Sequence, residues 1–167
     1  MATNLEFIKS ETATSVTSID VTDCFSDKYD VYAITYTMLD DSVGTAMDLR
    51  LIDSGGVDSD SNYDFARHLL FSDRAFETQA VTNGSFMRGM GEATEQGSGS
   101  WFYIFNPFST SEYTFGFGQS VGMVSTNMLG FKWIGVKKET TQYTGFQLFT
   151  STPTTLSNIE VSVYGVK

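Results

Sequence analysis

An all-β fold, an antiparallel β-sandwich of a single domain, is predicted by three features of the sequence. Apolar and polar residues alternate with a period of two in stretch after stretch, turn-forming clusters separate those stretches, and helical periodicity is nearly absent. About ten short strands punctuated in this way suit a jelly-roll-like sandwich.

The elements follow in chain order. Residues 1–14, with alternation in LEFIK, are expected to form an N-terminal arm or first strand ahead of a sandwich domain over 15–167. Such an arm suits strand addition to a neighbour. YDVYAITYTML puts Tyr32, Ile34, Tyr36 and Met38 on one face, and AMDLRLID sets Met47, Leu49 and Leu51 against Asp48 and Arg50, so both read as half-buried strands. In residues 61–80 the spacing of Phe65, His68 and Phe71 is helical, but the β-rich surroundings favour a strand. WFYIF (101–105) and GFKWIGV (130–136) are apolar on both faces and predict strands covered on both sides. GFQLF and IEVSVYGV alternate again, and DDSVG, DSGGVDSDSN, TNGS, EQGSGS, NPFSTS and STPTTLSN supply the turns.

The 167 residues are 41% hydrophobic and 14% aromatic, enough for one core. A formal charge of −10 repels a nucleic-acid backbone, which argues against DNA or RNA as a partner. Most of the acids precede Ser125, whereas Lys132, Lys137, Lys138 and Lys167 follow it, so the C-terminal strands are suited to an acidic neighbour. Cys24 is the only cysteine, leaving no intrachain disulfide and no C-x-x-C pair. The start lacks the basic flank and apolar run of a secretory signal, and no membrane-length apolar run follows. The expectation is a protein made in a cytoplasm, without membrane or cofactor.

FGFGQSVGMV (115–124) contains Gly118, Ser120 and Gly122 in the G-x-S-x-G pattern of a hydrolase elbow. That elbow needs a helix after the serine and a histidine later in the chain. Here the sequel is β-like and the only histidine, His68, comes earlier, so a glycine-bearing strand is expected and no catalytic residue is assigned. The same glycines lack the spacing and the helix of a dinucleotide loop. Asp58, Asp60 and Asn62 match the first three ligands of a calcium loop, and Asp64 follows, but Tyr63 stands where the loop needs glycine and Leu69 where it needs glutamate. Those four residues are the only metal candidates, and a solvated acidic loop is the expectation. Twenty acids single out no catalytic pair, and Cys24 reads as a small core residue.

Aromatic residues are the remaining signal. Trp101, Tyr103 and Phe105 share one strand face, and Leu129, Phe131 and Trp133 another. Core is the first expectation for each; the surplus suits a subunit interface or a platform on which sugars stack. Leu5, Phe7, Trp101 and Trp133 are the residues expected at an interface.

SVTSIDVTDCFSDKYDVYAITYTML (15–39), DLRLIDSGGVDSDSNYDFAR (48–67), YIFNPFSTSEYTF (103–115) and the ending IEVSVYGVK (159–167) resemble small structural proteins of tailed bacteriophages of marine bacteria. The resemblance covers most of the chain except roughly 68–100. It implies a non-enzymatic virion component, foremost a capsid decoration or cement protein on the capsid exterior. The expected partners are the major capsid protein and two further copies in a homotrimer, which would grip the lattice multivalently. The alternative within the same resemblance is a tail-fibre or baseplate module that binds host-surface glycan, with a tryptophan as the stacking platform.

Overall fold

The structure is a computed structural model that describes residues 4–40, 45–93, 96–152 and 154–167. Among the described residues there are thirteen strands and no helix: β1 (Leu5–Ala13), β2 (Ser18–Val21), β3 (Val31–Asp40), β4 (Thr45–Asp53), β5 (Gly56–Val57), β6 (Tyr63–Phe71), β7 (Glu77–Gly84), β8 (Met87–Ala93), β9 (Ser98–Phe105), β10 (Thr114–Val124), β11 (Asn127–Lys137), β12 (Gly145–Thr150) and β13 (Leu156–Val166). Eight of them make one sheet in the order β1-β13-β3-β9-β10-β11-β6-β7; β2-β12-β4-β5 make a second, and β8 pairs with β4. Every pairing is antiparallel. The chain crosses repeatedly between the two sheets, in jelly-roll-like fashion, while β9, β10 and β11 form a meander inside the larger one. The predicted single-domain antiparallel sandwich is the fold, and the helical spacing in residues 61–80 belongs to β6 and β7.

The core lies between the sheets. Tyr32, Ile34, Tyr36 and Met38 of β3 pack inward with Met47, Leu49 and Leu51 of β4, and Phe102, Trp133, Phe146 and Leu148 complete the layer. Phe102 sits 5.8 Å from Trp133 and 6.2 Å from Phe146, ring centre to ring centre, in the tilted and edge-on geometries that aromatic quadrupoles favour. Tyr36 donates its hydroxyl to the Met90 carbonyl, fastening β3 to β8.

Three expectations are corrected. Asp48 is not on a wet face: β8 brings Arg88 directly opposite it, and the guanidinium donates to both carboxylate oxygens at 2.8 Å. A carboxylate can be buried when such a forked, charge-assisted pair replaces water. The second correction concerns β9 and β11, which are covered on their inner side only, so that Trp101, Tyr103 and Phe105 look outward. The third is Trp133, expected at an interface but only 1% exposed. Its indole fits inside because glycines face it: a Cβ on Gly116 would lie 3.0 Å from the ring, and one on Gly89 2.7 Å from the Trp133 Cβ.

Of the N-terminal arm, residues 1–3 lie outside the described residues, and the rest is β1, which pairs with β13 of its own chain from Leu5 opposite Val166 to Ala13 opposite Ile159. A bulge falls between Phe7 and Lys9. Together with Glu6, Lys9 and Glu11, that bulge is the kind of feature that discourages another strand from joining an edge.

Candidate functional site: the outer face of the larger sheet

Cross-strand register arranges the outer face of the eight-stranded sheet in rows. Tyr164, Ala33, Tyr103, Phe117, Ile134, Ala66 and Ala80 stand directly opposite one another from β13 to β7, and Phe7 of β1 extends the row opposite Tyr164. Each member carries an apolar or aromatic side chain. With strands about 4.8 Å apart, seven steps make this row about 34 Å long. Two residues along each strand, and three along β1 where the bulge intervenes, runs a second row: Ser10, Ser162, Thr35, Trp101, Gln119, Lys132, His68 and Thr78. This one is polar in every strand except β9, where Trp101 interrupts it.

The apolar row forms one continuous aromatic cluster at its centre. Phe117 lies 5.5 Å from Tyr103, stacks on Phe105 at 5.7 Å, and meets Trp101 at 6.4 Å edge-on; Trp101 meets Tyr103 at 5.6 Å. The cluster remains open to solvent, with Trp101 42% exposed and Phe117 40%, and the neighbouring Ile134 is 63% exposed. Shallow grooves run between them. One, of about 520 Å³, is lined by Thr35, Thr37, Trp101, Gln119, Glu160 and Ser162, and another of about 540 Å³ by Phe105, Phe115, Phe117 and Ile134 among others.

The local cause of this exposure is the alternation in β10. Thr114, Gly116 and Gly118 point inward and are buried, while Phe115, Phe117, Gln119 and Val121 point outward. A Cβ on Gly118 would strike Phe102 and come 2.6 Å from the Trp101 carbonyl oxygen, so the inner face at this point has no room for any side chain. The hydrolase-like glycine pattern is therefore a packing device, one that seats Phe102 and Trp133 below and leaves phenylalanine above.

Charge on the face is set apart from that of the chain. No Asp or Glu occurs in the polar row, although the chain has 20 acids against 10 Lys and Arg. Lys132 and His68 face each other across β11 and β6. Among the described residues no acid lies within ion-pair distance of Lys132. The nearest acids in register are Glu160, one row beyond Ser162, and Asp64, which is held by Lys138 at 2.9 Å.

The residues singled out from sequence fall as follows. Leu5, Phe7 and Trp101 are exposed, Phe7 and Trp101 on the outer face, while Trp133 is core. Ser120 is mid-strand, opposite Ser100 and Phe131, with its hydroxyl oxygen buried on the inner side; His68 is exposed on the outer side, so the sheet itself separates the two. Cys24 donates to the Val21 carbonyl at 3.4 Å, and burial pushes its thiol up to about 12.

The acidic loop is organised around a cation of the chain's own. Lys137, fully buried, donates to Asp58 Oδ1 at 2.9 Å and stands 2.8 Å from Oδ2, while the Tyr143 hydroxyl donates to Oδ2 at 3.0 Å. The ammonium also sits over the Tyr63 ring at 4.4 Å. Burial first, and then the Asp58 charge, hold the Tyr143 phenol above its ordinary range. Asn62 turns to Glu139, and Asp64 to Lys138 and the Asn83 amide, which hold its carboxyl below the usual range. The carboxylates of Asp58 and Asp64 and the amide of Asn62 thus have partners within the chain, the Asp60 backbone amide donates to Asp58 Oδ1 at 2.9 Å, and among the described residues no group of three or more His, Cys, Asp or Glu is placed to hold a metal.

Sequence reasoning missed Phe115, Phe117, Ile134 and Lys132 as members of an open face, and Lys137 as the partner of Asp58. For the face the signal was present: glycine at 116 and 118 in phase, phenylalanine at 115 and 117 out of phase.

No family model and no curated protein matches the chain. Among solved structures, an exo-inulinase from Aspergillus awamori aligns over 96% of this chain and 29% of its own, with TM-score 0.47 and 10% identity. A xylan-binding domain from Paenibacillus barcinonensis aligns over 95% and 71%, with TM-score 0.30 and 11% identity. A pilus protein of Bacillus endospore appendages aligns over 99% and 95%, with TM-score 0.33 and 9% identity. The chain spans less than a third of the exo-inulinase.

Proposed function

We propose that this chain is a non-enzymatic structural protein of a bacteriophage virion that works by holding a partner against the outer face of its eight-stranded sheet. The observation that carries the reading is the apolar row across all eight strands, with an aromatic cluster at its centre left partly in solvent while glycines fill the inner side of β10. A face so apolar and so continuous is what a binding surface requires. The resemblance of residues 15–39, 48–67, 103–115 and 159–167 to phage structural proteins supports the virion as its setting.

As a capsid decoration protein, the chain seats this face on the major capsid protein, and a homotrimer multiplies the grip of each copy. As a tail-fibre or baseplate module, it lays the face on host-surface glycan. The second reading is favoured by one observation of its own, the acid-free polar row that runs beside the aromatic one through Trp101. A density map of the intact virion tests both: copies over the head support decoration, copies confined to the tail support adsorption, and absence from the particle overturns the virion reading. Replacing Phe117 and Ile134 together by serine is expected to remove the protein from the head if the face docks on capsid, and to leave it in place at the tail if the face binds glycan.

A further inference from the structure

Resting on the second of these readings, in which the outer face lies on glycan, we propose that its occupant is a linear, anionic polysaccharide laid across the strands, perpendicular to them.

The two rows explain the ligand class. A sugar ring has apolar C–H faces and a polar rim of hydroxyls, so a chain of sugars needs aromatic rings on one side and hydrogen-bonding groups along the other. Tyr103 and Phe117 provide the first, extended by the aliphatic Ile134, and Thr35, Gln119 and Ser162 the second, with Trp101 standing in the polar row and touching the rings of Tyr103 and Phe117. A protein partner would be served by an apolar patch with a polar rim around it. Here the apolar and polar groups run instead as parallel lines repeating at every strand, about 4.8 Å apart, which suits a polymer with one orientation and a short repeat.

Charge narrows the class further. The chain as a whole would repel an anionic polymer, yet the polar row holds no carboxylate, and its far end presents Lys132 opposite His68. A groove of about 410 Å³ opens between these two residues, Thr78 and Ala80. An acidic sugar bound there meets Lys132, whose ammonium has no acid within ion-pair distance among the described residues. Glu160 stands at the opposite end, in the groove beside Trp101, and restricts the acidic positions to the Lys132 side.

Affinity electrophoresis of the full chain through polygalacturonate, with its methyl ester as the uncharged counterpart, tests the proposal. Polygalacturonate is expected to retard the protein and the ester to retard it less. Trp101→Ala should weaken binding about tenfold by removing an aromatic platform, with Trp101→Phe recovering part of the loss. Lys132→Glu should abolish the preference for the acid form and the salt dependence of binding. Near-ultraviolet circular dichroism of each variant separates lost binding from lost folding. Equal binding of both polymers, untouched by Lys132→Glu, overturns the anionic assignment. If neither polymer binds and Trp101→Ala strips the protein from virions, the face docks on protein and the polysaccharide is overturned alone; if neither polymer binds and virions are unaffected, the outer face as a binding surface falls with it.

Discussion

Strands β3 and β10 lie in the same sheet, separated only by β9, and alternate with the same period but with opposite contents. β3 buries Tyr32, Ile34, Tyr36 and Met38 and shows Ala33, Thr35 and Thr37 to solvent; β10 buries Thr114, Gly116 and Gly118 and shows Phe115, Phe117 and Val121. Folding alone favours the first arrangement, because burying a phenylalanine side chain contributes about 1.5–3 kcal/mol that an exposed one forgoes in part. β10 can depart from it because its neighbours send large side chains beneath it: Phe102 from β9 and Trp133 from β11 occupy the space over Gly116 and Gly118. The outward face of a strand is thus not what remains after the core is filled. In β10 the core is packed by other strands, and the aromatic side chains are released for the opposite side.

Substitutions along the two strands sharpen that contrast. Ile34→Ala in β3, at a site 1% exposed, should lower the free energy of unfolding by about 2–5 kcal/mol in a urea titration. A loss under 1 kcal/mol would mean that the β3 side of the core is loose. Gly118→Ala adds a single carbon where Phe102 and the Trp101 carbonyl already stand, and overpacking of this kind costs about 1–3 kcal/mol. Unchanged stability there would refute the packing role assigned to the glycines. Phe117→Ala, the largest chemical change of the three, should cost only about 1 kcal/mol, since the ring is 40% exposed and loses mainly its contacts with Tyr103 and Phe105. An unfolding cost as large as that of Ile34→Ala would make the outer row structural.

The smallest effect is expected far from both strands. Glu6 on β1 is held at about 2, below its ordinary 4.5, first by Lys28 and then by Tyr29 and Lys167. Since the folded value is the lower one, the stabilisation from Glu6 is complete above about pH 4.5 and is lost as the pH falls toward 2. Glu6→Gln should lower the urea midpoint slightly at neutral pH, where the stabilisation is complete, and converge with the parent as the pH falls toward 2, so that the slope in that acid window flattens. It should do so without touching the difference between β3 and β10.

How much of this was legible in the sequence depended on whether an alternation was one-sided. In β3 and β4 only one phase of the alternation is continuously apolar, and Tyr32, Ile34, Tyr36, Met38, Met47, Leu49 and Leu51 are buried as read. In WFYIF and GFKWIGV both phases are apolar, and the sequence offers two faces without saying which is inside. The answer came from β10, whose glycines fix the inward phase for all three strands of the meander by register, a long-range constraint invisible within either segment. The burial of Asp48 was hidden for the same reason, because Arg88 is forty positions away and meets it only when β8 pairs with β4. The loop around Asp58 reads as solvated because its neutralising group, Lys137, lies 79 residues further on.

That lysine has a consequence for the acidic loop. The charge that balances Asp58 is covalently part of the chain, so it is present once per molecule, is delivered by folding itself, and can be neither diluted away nor removed by a chelator. A loop whose aspartates suggest dependence on its surroundings has, at its most buried carboxylate, been made independent of them.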